Sequence, residues 1–332
     1  MRAVVITKHG GPGVLKVQER DDPPIGPGDV RIDVAAAGVN FADAMARMGL
    51  YPDAPKTPCV VGYEVAGTVL ELGHDVSGLT PGERVIAGTK FGGYASQAVV
   101  PAANVVALPH ELSFEQGAAI PVNYATAWAA LIGYGNVQRG ERVLIHSAGG
   151  GVGIAAIQLA KRAGAEVYGA ASPGKHAAIQ AQGADHAVDY TRPGWERDMP
   201  RFDVVLDAVG GRSFRRSYDM LRPGGRLVAY GASAVVSGQR RNVVAALGTL
   251  ARMPRFKIMK QMSESKAVIG LNLLRLWEDR GSLEPWMEPL KALLSDGTIA
   301  PLVAQGFPFE EAGAAHAMLT ERRNVGKVVL VP

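Results

Sequence analysis

Two hydrophobic rhythms divide the chain. Up to about Leu112, short Val, Ile and Ala runs are broken by Gly and Pro: "AVVIT", "DVRIDVAAAGVN", "EVAGTVLELG", "ERVIAG" and "YASQAVVP". Frequent turn signals between short apolar runs predict a compact β-rich unit built on a curled sheet. Then the rhythm changes. "SFEQGAAIPVNYATAWAALIGYG" reads as helical pieces, with Ser113 as an N-cap. From Glu141, strands and helices alternate: "RVLIHSA" with "GGGVGIAAIQLAKRAG", "EVYGAAS" with "GKHAAIQAQGA", "FDVVLDAVG" with "SFRRSYDMLRPGG", then "RLVAYGA". Repeated βα units predict a parallel sheet with helices on both faces. Past about residue 264 this regularity is lost. "WMEPLKALLSDG" predicts a helix stopped by Gly297, and "GKVVLVP" a terminal strand that belongs with the N-terminal ones.

The first βα turn carries the clearest chemistry. Aligned on its end, it reads Ala148-x-Gly150-x-x-Gly153, with Ala in place of the first usual glycine. Gly150 would let the backbone approach a pyrophosphate, and Gly153 would let helix and strand pack closely. The helix N-terminus adds N–H groups and partial positive charge. An NAD site places an acid about 20 residues downstream, on the ribose 2′-OH. Here the second strand ends in "GAAS", followed by Pro173, Gly174 and Lys175, with no carboxylate before Asp185. A small hydroxyl (Ser172) and a cation (Lys175) suit a 2′-phosphate, so NADPH is the expected cofactor.

Composition narrows the class further. The chain has 332 residues, 47% hydrophobic and 20% charged, which is the composition of an ordered two-domain protein. A net charge of +4 and 6% aromatics do not point to nucleic acid. Cys59 is the single cysteine, so neither an internal disulfide nor a Cys-rich metal site can form. The chain starts on an apparent strand, "MRAVVI", without a leader pattern or a membrane-length apolar run. A soluble cytoplasmic protein is the expectation.

"AAGVNFADAMARMGLYP", "GYEVAGTVLELG", "HSAGGGVGIAAIQLAK", "DVVLDAVGG", "LRPGGRLVAYG" and "NVGKVVLVP" together resemble the zinc-independent quinone oxidoreductases. These belong to the medium-chain dehydrogenase/reductase superfamily. "IPVNYATAWAALIGYGNVQRGERVLIH", "GQRRNVVAALGTLAR" and "RRNVGKVVLVP" look most like its vesicle amine transport protein branch. The resemblance implies a GroES-like catalytic domain, residues 1–122 and 265–332, around a Rossmann domain, residues 123–264. It implies NADPH in the cleft, a quinone or enone acceptor and a homodimer. By the same resemblance Asn40 and Tyr51 lie near the nicotinamide, and Thr126 touches the cofactor. Gly150, Gly151 and Val152 lie at the pyrophosphate, and Ser172, Lys175 and Tyr190 at the 2′-phosphate. Tyr230, Gly231 and Ala232 follow a sheet strand. Leu271 and Asn272 come from the return segment and Asn324 from the tail.

A zinc dehydrogenase of this superfamily needs a Cys/His ligand set around an open position. Here Asn40 and Tyr63 stand at two ligand positions, and "GTKFGGYASQAVVPAAN" passes without the cysteines of a structural zinc lobe, so no metal is expected. Quinones and conjugated enones accept hydride directly, and the protein need only align the reactants and exclude water. Tyr51 could donate to the developing oxyanion or simply wall the cleft. Asn40 could orient nicotinamide or substrate, or make a local turn bond. Glu64 is expected to serve buried backbone donors, and Tyr63 to fill the vacated ligand space. Two other functions remain open: an enoyl-thioester reductase, and an NADPH-binding trafficking module with little turnover.

Between Asp219 and Glu264 there is no acid. The interval holds Arg222, Arg226, Arg240, Arg241, Arg252, Arg255, Lys257 and Lys260, together with Met253, Met259 and Met262. "NVVAALGTLARMPRFKIMKQM" reads as helical. One reading is a helix over the substrate cleft with a solvated basic edge. The other is an apolar entry flap or a weak membrane-surface contact through residues 240–262.

Overall fold

In the segment Asp29–Val39, Val30, Ile32 and Val34 are buried while Arg31 and Asp33 reach outward. This period of two makes a strand with one dry face, and the strand is the hub of a seven-stranded sheet. The computed structural model describes residues 1–236, 238–240 and 242–332. Arg241, one of the cations noted above, lies outside the described residues. The chain forms two compact units: residues 1–125, 238–241 and 276–332, and residues 126–237 and 242–275.

In the first unit the spatial order is Val303–Pro308, Lys327–Val331, Asp29–Val39, Glu64–Leu72, Arg84–Gly88 and Val105–Ala107. Gln97–Pro101 also pairs with the hub strand. The terminal strand lies beside the N-terminal ones, with Val328 opposite Val39. A three-stranded sheet of Leu15–Glu19, Arg2–Ile6 and Cys59–Val60 completes the unit. Ile6, Ile32, Val65, Val85, Phe309 and Leu330 share one core.

The second unit holds a six-stranded sheet in the order His186–Asp189, Glu166–Ala171, Arg142–His146, Phe202–Asp207, Leu221–Ala229 and Ala267–Gly270. Every pairing is parallel. All six residues of Phe202–Asp207 are buried, as a strand covered on both faces requires. The sequence-based boundary at residue 264 falls just before the sixth strand, whose short "AVIG" has too few residues to show a rhythm.

The single helix suggested by "NVVAALGTLARMPRFKIMKQM" is in fact two, Val243–Ala251 and Ile258–Glu264. Pro254 explains the break. It has no N–H to donate and pushes the residue before it out of helical backbone.

Candidate functional site

The strand order reverses between Arg142–His146 and Phe202–Asp207, where a parallel sheet opens a crevice at its carboxyl edge. The glycine turn sits there. Ser147 takes a left-handed φ of 55°, and Gly150 caps the helix Gly151–Arg162. A Cβ on Gly153 would come within 2.5 Å of Ser147 O and 2.6 Å of Ala148 O, so only glycine lets the helix lie this close. A Cβ on Gly150 would meet only Ser147 O, at 3.3 Å, which leaves the outer side of the turn open. Gly151 and Val152 supply free N–H groups of the first helical turn. These residues fit a pyrophosphate.

The neighbouring strand ends supply the expected specificity groups. Ala171 pairs with Asp189, which brings the next residues, Ser172 and Tyr190, level at adjacent strand ends. Ser172 begins a short turn of 3₁₀ helix, Pro173–Lys175. The Lys175 side chain folds back over the glycine turn: a Cβ on Gly149 would meet Lys175 Cδ at 2.9 Å. Tyr190 is exposed. No carboxylate occurs from the end of this strand to Asp185, and Asp185 is bonded to Lys161 and Val167 N.

Other expected residues also lie in this unit. Thr126 is buried in the helix Pro121–Trp128. Tyr230, Gly231 and Ala232 follow Leu221–Ala229; Tyr230 N donates to Asp207 O at 3.1 Å, and burial raises the Tyr230 pKa. Leu271 N donates to Ala229 O at 2.9 Å. Asn272 caps the helix Leu273–Arg280, with Oδ1 accepting from Leu274 N at 3.0 Å.

Asp207 is a residue the sequence reading missed. It ends Phe202–Asp207, is fully buried, and shapes the following loop. Its Oδ1 accepts from Val209 N at 2.7 Å, and its Oδ2 from the hydroxyls of Ser213 at 2.7 Å and Ser217 at 2.6 Å. Its sequence signal was an acid ending an apolar run before "AVGG".

In the first unit, Asn40 caps the helix Phe41–Arg47. Its Nδ2 donates to Glu64 Oε1 at 3.0 Å, and its Oδ1 accepts from Lys327 Nζ at 2.7 Å. Lys327 Nζ also pairs with Glu64, and both side chains are buried. Glu64 Oε2 accepts from Val122 N at 2.7 Å, the backbone service expected of it. Gly38 makes room, because a Cβ there would lie 2.6 Å from Glu64 Oε1. Lys327 was the second residue missed. In "GKVVLVP" it reads as a solvated strand-edge lysine.

Tyr63 is buried between Tyr51, edge-on at 6.4 Å, and Phe91, at 5.1 Å between ring centres. Its hydroxyl has no hydrogen-bond partner at normal geometry among the described residues, and burial raises its pKa strongly. Tyr63 therefore fills space. Asn324 is buried, with Nδ2 donating to Gly326 O at 2.8 Å. That bond shapes the turn before the terminal strand.

A second buried chain supports the Asn40 helix. Arg47 Nε donates to His316 Nδ1 at 3.3 Å. Arginine cannot accept, so His316 Nε2–H faces Tyr94 Oη at 3.2 Å. Tyr94 Oη in turn donates to Asp43 Oδ2 at 2.9 Å. Asp43 also accepts from Asn40 N and Gly62 N. Burial pushes the Asp43 carboxyl up to about 7, against the pull of its donors and of Lys327. Burial, with Arg47 adjacent, holds His316 down at about 3.

Among the described residues, no group of three or more His, Cys, Asp or Glu could hold a metal ion. Cys59 is buried, and burial raises its pKa. No helix among them is long and apolar enough to cross a membrane.

Comparison with known proteins agrees with this geometry. Residues 26–110 match the alcohol dehydrogenase GroES-like domain family, and residues 182–330 the zinc-binding dehydrogenase family. The human synaptic vesicle membrane protein VAT-1 homolog is 35% identical over 340 residues, covering 100% of this chain and 86% of that protein. The structure of Escherichia coli quinone oxidoreductase complexed with NADPH matches with a TM-score of 0.85 at 28% identity, over 100% of both chains. That of CurK enoyl reductase matches with a TM-score of 0.86 at 27% identity, over 99% of this chain and 98% of that one.

Proposed function

Because the chain belongs to the medium-chain dehydrogenase/reductase superfamily, in the branch of zinc-independent quinone oxidoreductases and VAT-1 homologues, we propose that it is an NADPH-dependent reductase of quinones or activated enones. The observation that carries the cofactor choice is Lys175 folded over Gly149, with Ser172 and Tyr190 at adjacent strand ends, no carboxylate from Ser172 to Ala184, and the neighbouring Asp189 occupied by Thr191. Lys175 and Ser172 would hold the 2′-phosphate through charge-assisted bonds. Gly150, Gly151 and Val152 would hold the pyrophosphate against the helix N-terminus.

When bound, the cofactor supplies the hydride. The chain's own groups supply orientation and charge control. Thr126, Tyr230, Gly231, Ala232, Leu271, Asn272 and Asn324 are assigned to cofactor contact. The Tyr51 hydroxyl donates to the acceptor oxygen as negative charge develops there. Glu64 and Lys327 hold the Asn40 carboxamide in one orientation, and its second N–H remains to align a ring amide or carbonyl. A quinone or enone spreads the incoming charge onto oxygen, so no Lewis acid is required of the residues at the old ligand positions. The same reading makes the protein a cytoplasmic homodimer.

The likeness to CurK enoyl reductase favours one second reading, reduction of an enoyl thioester. The test is NADPH consumption, followed by its near-ultraviolet absorbance, across quinones, enals and enoyl thioesters. Turnover with quinones or enals is the expected result. Preference for a thioester would shift the assignment to the second reading. Tight NADPH binding without turnover on any acceptor would overturn both in favour of a non-catalytic binding module.

A further inference from the structure

Three buried polar side chains link the two strands between which the sheet order reverses. His146 ends Arg142–His146 and Asp207 ends Phe202–Asp207, and these neighbouring strands are in register, with Ile145 level with Leu206. Ser217, on the helix Arg212–Asp219, stands between the two side chains. Its Oγ lies 2.6 Å from Asp207 Oδ2 and 3.0 Å from His146 Nε2, and all three residues are buried. A hydroxyl has one proton to give, and a carboxylate only accepts. Ser217 therefore donates to Asp207, and its oxygen is left to accept from His146 Nε2–H. Burial lowers the His146 pKa against the pull of Asp207, so the imidazole stays neutral with its one proton on Nε2.

Each end of this chain adjoins a loop at the carboxyl edge of the sheet. Ser147 follows His146 directly and takes the left-handed φ of 55° that opens the glycine turn. Such backbone is strained in a residue with a Cβ and persists only where its neighbours are held. At the other end, Asp207 Oδ1 accepts from Val209 N at 2.7 Å and from Gly210 N at 3.3 Å, which folds residues 208–210 into a turn. That turn clasps the loop after the next strand. Ser233 N donates to Ala208 O and Ala234 N to Val209 O, each at 2.9 Å. Glycines permit the close crossing. A Cβ on Gly210 would meet Ala232 Cα at 3.0 Å, and one on Gly231 would meet Ala208 O at 3.1 Å. The loop that carries Tyr230, Gly231 and Ala232 therefore takes its position from the turn that Asp207 holds.

We propose that His146 and Ser217 are positioning residues for the dinucleotide, acting through Asp207. The chain from imidazole through hydroxyl to carboxylate ties the pyrophosphate turn to the 208–210 and 230–232 loops before the cofactor arrives. Loops set in advance lose less freedom on binding, and the saving appears as affinity. This rests on the reading of the crevice as a dinucleotide site. Ser213 provides an internal comparison. It lies one helical turn before Ser217, and its Oγ also donates to Asp207 Oδ2, at 2.7 Å. It is only half-buried, and among the described residues no hydrogen bond carries it on to His146.

The test compares Ser217→Ala with Ser213→Ala in the full chain. Each removes one hydroxyl from the same carboxylate oxygen, but only Ser217→Ala cuts the link to His146. In fluorescence titration, Ser217→Ala should weaken NADPH binding by about tenfold and Ser213→Ala by less than about threefold. In the cofactor-free protein, hydrogen exchange at the Val209 and Gly210 amides should be faster in Ser217→Ala than in Ser213→Ala. A further measurement needs only the wild type. Ring-nitrogen NMR shifts of His146 should report a neutral imidazole with its proton on Nε2. A proton on Nδ1 instead would overturn the proposal. So would equal NADPH affinities of the two variants beside a wild type that binds NADPH. Wild-type protein that binds no dinucleotide would overturn the cofactor reading itself, and this inference with it.

Discussion

Lys327 Nζ donates to Asn40 Oδ1 at 2.7 Å, joining the terminal strand to the N-cap of a helix near the other end of the chain. Lys327 is also the buried countercharge of Glu64, so one ammonium group sets the Asn40 carboxamide and neutralises the carboxylate behind it. Lys327→Met would leave Glu64 charged, buried and unpaired. Stability is expected to fall by about 3–5 kcal/mol. Adding Glu64→Gln should recover part of that loss, because the unpaired charge is removed while the amide oxygen can still accept from Val122 N. Denaturant unfolding of the two variants measures this. A Lys327→Met protein as stable as the wild type would show the pair to be energetically silent.

Lys175→Glu should separate the two cofactors. Placing a carboxylate against Gly149 would repel a 2′-phosphate and leave a 2′-hydroxyl tolerated. NADPH affinity should drop by about a hundredfold or more, with NADH affinity nearly unchanged. Fluorescence titration with each cofactor is the measurement. Equal losses for both would remove the 2′-phosphate assignment.

Tyr51→Phe removes a hydroxyl and keeps the ring that meets Tyr63 edge-on. If Tyr51 donates to the acceptor oxygen, kcat should fall by about a hundredfold while KM and NADPH affinity hold. An unchanged kcat would make Tyr51 a wall of the acceptor site and nothing more.

The buried chain Arg47–His316–Tyr94–Asp43 predicts opposing effects of pH. His316 falls from an ordinary 6.5 to about 3, so the folded protein keeps it neutral while the unfolded chain takes up a proton. Its contribution is whole above 6.5 and drains as pH falls, with about 2 kcal/mol lost at pH 5. Asp43 moves the other way, from 3.8 to about 7. Its contribution is whole below 3.8 and is lost as pH rises through about 7. In thermal midpoints from about pH 4 to about pH 9, His316→Gln should remove a rise in stability with pH that ends near 6.5, and Asp43→Asn a fall with pH that runs from about 4 to about 7. Curves parallel to the wild type would show that neither group couples to folding.

Local rules determined a good deal here. The period-two run around Ile32, the βα alternation from Glu141 and the strand–glycine–helix turn at Gly150 are all set by residues a few positions apart. They were legible because pleat, helix and turn geometry act at that range. The absence of an acid after the second strand was legible for the same reason. Only the tertiary structure decided that Lys327 is a buried partner of Glu64 and Asn40, and that Lys175 lies back over Gly149. It alone showed Asp207 organising a loop through two serines of the next helix. These contacts join residues whose neighbours in sequence say nothing about burial. A lysine's cost or value depends on the dielectric and the countercharge around it, and folding alone brings those together.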